Sequence, residues 1–181
     1  MKFQIIISAI ILLTILSAEK QCPLKGVTKG SLNGKLVTIY SVRHSREGLE
    51  AHIEFNTVRH NPCPGGGACK WIFKWCQGNE FAITSKKYRS SYMYGNIVNA
   101  VSHYNVHTNY ACKHKEYMWK VYFDSCSSNY YLQNSFHGTW LDSSDTGLVK
   151  HSHCNKNEYY GWNSCGKWRR WSFQDIRSNW E

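Results

Sequence analysis

The 181-residue sequence is short of several things, and each shortage closes off a class of protein. Proline occurs three times, too seldom for a proline-rich linker or fibre. Acidic residues number 12 against 22 lysines and arginines, with no evident convergent pair of carboxylates, so an acid hydrolase built on two carboxyl groups finds no support. A Gly-x-Ser-x-Gly elbow, a His-Glu-x-x-His helix and a phosphate loop are all missing. Beyond residue 18 no apolar run approaches the roughly 18 residues of a membrane span. The end of the chain carries neither a lipidation box nor a hydrophobic anchor tail. There is no Asn-x-Ser/Thr acceptor for N-linked glycan. Clean i, i+3, i+4, i+7 apolar spacing is also missing, which leaves little room for amphipathic helices.

What is present begins with an export signal. Lys2 supplies the positive n-region, residues 5–16 the apolar stretch, and Leu16-Ser17-Ala18 a small-residue cleavage site, so residues 1–18 read as a signal peptide and the product is expected to be secreted. The remainder, with a hydrophobic content of 42% over the whole chain, is about one domain long. Eight cysteines (Cys22, Cys63, Cys69, Cys76, Cys112, Cys126, Cys154 and Cys165) are an even set in an exported chain and are expected to form disulfides of open connectivity. None has the CxxC spacing that a structural zinc site would use, and neither a metal nor a cofactor is expected.

Tyr, Trp, Phe, Val, Ile and Thr recur in short alternating runs, the pattern of an all-β domain. Strands are expected at Lys35–Ser41, 49–56, 70–75, Glu80–Ser85, 91–98, 118–123, 130–134, 138–142 and 168–175, with residues 101–106 also strand-like. Three blocks share one order. Each opens with an alternating strand at Val37, Phe81 or Tyr131, continues at Leu49, Met93 or Leu141, and closes on a Trp-x-apolar strand at Trp71, Trp119 or Trp171. The tryptophans lie 48 and 52 residues apart, which would set three large rings on one interior layer.

Over residues 34–176 this order resembles the β-trefoil superfamily. The resemblance implies a disulfide-stabilised all-β fold of three four-stranded repeats, a six-stranded barrel capped by hairpins. A 19–33 segment would lead into a trefoil domain at 34–181. The third block, with Tyr130-Tyr131-Leu132-Gln133-Asn134, Trp140-Leu141-Asp142-Ser143-Ser144, Gly147-Leu148-Val149, Cys154-Asn155 and Trp171-Ser172-Phe173, is similar to a ricin-B-type lectin repeat. That likeness implies that Asp142 and Asn155 bond sugar hydroxyls, with His151 or His153 and Tyr159, Tyr160 or Trp162 as the platform. Where that family has Gln-x-Trp this chain has Arg169-Arg170-Trp171, and the other blocks put Glu50 and Tyr94 in the place of Asp142.

Charge forms the second constellation. Lys86, Lys87 and Arg89, then Lys113 and Lys115, then Lys167, Arg169 and Arg170, with Lys150 and Lys156, supply much of a formal net charge of +10 and favour polyanions. For a secreted protein the matching partners are extracellular glycans and glycosaminoglycans such as heparin, with nucleic acid not expected. A receptor, as for a heparin-binding growth factor or cytokine, and a protease, met by Arg43 or Arg46 of residues 43–48, are the alternative partners. Nine histidines are many, but no motif organises them. His103-x-x-x-His107 would lie too extended on a strand, and His151-x-His153 is the better candidate for weak metal or proton chemistry. The sequence therefore reads as a secreted, lectin-like protein for anionic glycans, with no catalysis expected.

Overall fold

Residues that alternate apolar and polar bury one face of each strand, and in this chain those buried faces close on one another. The computed structural model describes residues 23–45, 47–52, 57–63, 67–95, 100–103, 108–143, 149–152 and 169–178. It contains β1 (Lys25–Gly26), β2 (Lys35–Ser41), β3 (Glu47–His52), β4 (Thr57–Pro62), β5 (Lys70–Gln77), β6 (Glu80–Ser85), β7 (Tyr92–Gly95), β8 (Ala100–His103), β9 (Met118–Asp124), β10 (Asn129–Asn134), β11 (Trp140–Ser143), β12 (Val149–Ser152) and β13 (Trp171–Ser178). Helix is confined, among the described residues, to single turns at Lys29–Leu32, Thr108–Ala111, Gly67–Cys69 and Lys115–Tyr117.

Six strands form a closed antiparallel ring in which β2 pairs with β5, β5 with β6, β6 with β9, β9 with β10, β10 with β13, and β13 returns to β2. Closure removes the exposed edges that an open sheet must protect. Six further strands pair as three hairpins, β3 with β4, β7 with β8 and β11 with β12, one for each block, and the short β1 pairs with β9. This is the barrel with hairpins expected of a β-trefoil.

Trp71, Trp119 and Trp171 are fully buried in one core with Val37, Ile39, Phe73, Phe81, Ile83, Val121, Leu132 and the hairpin residues Leu49, Met93 and Leu141. An indole N–H inside such a core needs an acceptor. Each finds it at the same place in its block: Trp71 Nε1 donates to the Leu49 carbonyl at 2.8 Å, Trp119 Nε1 to Met93 at 3.1 Å, and Trp171 Nε1 to Leu141 at 3.2 Å. Three bonds of one kind tie the barrel to its three hairpins and make the threefold pattern physical.

The register corrects one alignment. Val37 faces Trp71 and Phe81 faces Trp119, but Trp171 faces Tyr130 rather than Tyr131. The third block therefore opens one residue earlier than the apolar pattern suggests. A one-residue shift exchanges the two faces of a strand, and accordingly Leu132 enters the core while the Tyr131 hydroxyl accepts a hydrogen bond from Arg170 Nε at 3.1 Å.

β2 and β6 have the expected limits, whereas the strand expected at 49–56 is β3 at Glu47–His52, and β4 and β12 lie outside the expected strands. The run Thr57-Val58-Arg59-His60-Asn61-Pro62 has one strongly apolar residue and ends on proline, so only its pairing with β3 reveals it. Disulfides join Cys63 to Cys69 and Cys76 to Cys112, and Cys126 is disulfide-bonded as well. Cys22, Cys154 and Cys165 lie outside the described residues. No helix among the described residues is long and apolar enough to cross a membrane.

Candidate functional site

β11 alternates strictly, with Leu141 and Ser143 buried and Trp140 and Asp142 half-buried. The inward residues are held in place: Leu141 accepts the Trp171 indole bond, and the buried Ser143 accepts from Ser41 Oγ at 3.0 Å. Asp142 consequently sits on the outer face of the third hairpin, opposite Lys150 in the strand register.

The departure from the lectin-like pattern explains itself here. Arg169, at the position of the family's glutamine, is 6% exposed and brings Nε to 3.6 Å from Asp142 Oδ2. Its charge is directed at Asp142, inward from the surface where the sequence grouped it with other cations. A carboxylate accepts hydrogen bonds from hydroxyls, and a guanidinium beside it donates to anionic oxygens. The buried guanidinium thus holds the Asp142 carboxylate on the outer face of the hairpin. Asn155, His153, Tyr159, Tyr160 and Trp162 lie outside the described residues, and His151 is placed only by its backbone, opposite Leu141.

The corresponding positions of the other blocks differ in chemistry. Glu50 accepts a 2.7 Å hydrogen bond from Asn61 Nδ2, a carboxylate and amide side by side on the first hairpin. Tyr94 packs its ring against Tyr117 at 4.8 Å. Burial, together with Tyr110 and Tyr94 nearby, pushes the Tyr117 hydroxyl up to about 12. The first block therefore retains a polar pair, whereas the second is aromatic.

Among the cations, Lys86, Lys87 and Arg89 belong to the β6–β7 connection, where Lys87 and Arg89 are exposed. The Lys87 ammonium lies 5.1 Å from the Tyr88 ring, and a hydrogen bond with the Tyr88 side chain holds its pKa above the ordinary lysine value. Lys113 and Lys115 are exposed beside Tyr110, which is 49% exposed and stacks on His114 at 3.9 Å. Arg170 is half-buried against Tyr131, and Lys156 and Lys167 lie outside the described residues.

Sequence reading missed one constellation. His44, Glu47 and His60 bring one nitrogen or oxygen each to within 4.8 Å of one another. The histidines are sixteen positions apart in sequence and join only because β3 folds back on β4, so no linear motif announces them.

No family model matches the sequence, and a search of curated proteins finds no relative. Solved structures do match. The BEL β-trefoil in its apo form shares 14% identity with a TM-score of 0.61, covering 87% of this chain and 98% of its own. The Polyporus squamosus lectin, bound to a human-type influenza-binding epitope ending in Neu5Ac, shares 13% identity with a TM-score of 0.57, over 78% of this chain and 49% of the lectin. A GH54 α-L-arabinofuranosidase shares 9% identity with a TM-score of 0.62, over 83% of this chain and 32% of the enzyme. The chain thus spans about half the length of that lectin and about a third of that enzyme. The closed barrel, the three hairpins and these likenesses together give this chain the β-trefoil fold.

Proposed function

We propose that this protein is a secreted, non-catalytic carbohydrate-binding protein that takes anionic extracellular glycans, with its specific site on the third hairpin. The observation that carries the reading is Asp142 on the outer face of the third hairpin, a hydroxyl acceptor whose carboxylate is held beside the buried Arg169 guanidinium. Exposed Lys87 and Arg89 on the β6–β7 connection, with Lys113 and Lys115, supply a longer-range field that concentrates acidic chains near the surface. Oxidised cysteines fit an exported chain. A sialylated ligand is bound by one protein of the same fold, which makes acidic sugars the class to test first.

The test is glycan binding by oxidised protein and its variants. Asp142→Asn should weaken recognition about tenfold or more, the scale of a lost charge-assisted hydrogen bond. Arg169→Gln removes the partner that holds Asp142 and should weaken neutral and acidic sugars alike. Neutralising Lys87 and Arg89 should flatten the salt dependence. Unchanged affinity in Asp142→Asn would remove the sugar-site assignment. Binding confined to sulfated chains and lost with salt would instead favour a heparin-binding, growth-factor-like role, the reading that Lys87 and Arg89 support.

A further inference from the structure

We infer that His44, Glu47 and His60 form a binding site for one divalent transition-metal ion of the zinc type, independent of the proposed glycan site. Local structure assembles it from two directions. The Glu47 amide donates to the His44 carbonyl at 2.7 Å, closing the turn between β2 and β3, and the His44 amide donates to Ser41 Oγ at 3.1 Å. Across the first hairpin Glu47 faces Pro62 and Leu49 faces His60, so Glu47 and His60 are diagonal neighbours on one face. His60 is 3% exposed and its Nδ1 is hydrogen-bonded to Glu47 Oε2. The His44 and His60 rings stack with centroids 4.6 Å apart.

Ligand type selects the ion. Two imidazoles and one carboxylate suit zinc, copper or nickel, whereas magnesium and calcium call for an all-oxygen shell. A tetrahedral ion with bonds of about 2.0–2.1 Å needs donor atoms roughly 3.3 Å apart. With all three donors within 4.8 Å, no pair needs to close by more than about 1.5 Å. His44 on its turn and the Glu47 side chain, 33% exposed, are half-buried and can make it, with buried His60 as the fixed point. Three protein donors leave a fourth position for water. Bound metal would staple the β2–β3 turn to the first hairpin beside the Cys63–Cys69 disulfide.

The experiment adds Zn2+ alone to dialysed, oxidised protein and follows thermal unfolding, with Co2+ absorption reporting coordination geometry and stoichiometry. One equivalent of Zn2+ should raise the melting temperature, and one equivalent of Co2+ should give visible bands of a tetrahedral or five-coordinate nitrogen and oxygen site. Mg2+ and Ca2+ should do neither. His44→Ala and Glu47→Gln, both at half-buried positions, should each weaken Zn2+ binding at least about tenfold. Their metal-free melting curves establish that they fold. Absence of Zn2+ binding at micromolar concentration, or binding of the same strength in both folded variants, would overturn the assignment.

Discussion

Replacing Trp71 by phenylalanine separates the buried indole hydrogen bond from the burial of an aromatic ring. Trp71 is fully buried and its Nε1 donates to the Leu49 carbonyl at 2.8 Å. Phenylalanine keeps most of the apolar contact but leaves that carbonyl without the indole donor, a loss of about 1–3 kcal/mol at a buried acceptor. The smaller ring forfeits roughly 1 kcal/mol more in buried apolar surface. The expected destabilisation is therefore about 2–4 kcal/mol. Trp75 is the control: it is half-buried, its Nε1 donates to Gly78 at 3.0 Å where water can substitute, and the Lys29 ammonium lies 4.5 Å from its ring. Trp75→Phe should cost less than about 1 kcal/mol. Urea unfolding of the oxidised proteins measures both, provided the slopes agree so that midpoints report stability. Equal costs for the two substitutions would refute the claim that the three buried indole bonds hold barrel and hairpins together.

Other consequences follow from particular contacts. Gly48→Ala would place its Cβ 2.7 Å from Cys63 Sγ and should destabilise the protein by about 1–3 kcal/mol. In a Cys63→Ala, Cys69→Ala background urea unfolding should show that cost reduced. Asp142→Asn leaves the buried Arg169 beside a neutral amide and should lower stability by about 1–3 kcal/mol, so its melting curve belongs with every binding measurement on that variant. Tyr117 stays protonated in the fold up to about 12, against an ordinary value of 10.0. Its contribution to stability is complete below pH 10 and is lost as pH rises through 12, because the unfolded state releases the proton first. Denaturation curves and tyrosinate absorbance over that range should fall and rise together.

The threefold order was legible because tryptophan is rare enough to mark position and its strands alternate cleanly. Trp71, Trp119 and Trp171 on one interior layer could be read before any pairing was known, and the barrel of β2, β5, β6, β9, β10 and β13 bears that out. The third block slipped by one residue because Tyr130 and Tyr131 are identical in type, and only the opposing Trp171 decides which faces inward. β4 was hidden because its polar residues pair instead of alternating with apolar ones. At the candidate site Asp142 was identifiable from the block order, but its approach to Arg169 was not, since a charge run reads as surface until burial is known. The grouping of His44, Glu47 and His60 depends on a hairpin register that no short motif encodes.

The most direct measurement of the account is glycan binding by the oxidised wild-type protein, with neutral, sialylated and sulfated ligands compared at low and physiological salt. Binding of acidic glycans that weakens with salt yet persists at physiological strength is the predicted result. No binding to any glycan at either salt concentration would contradict it.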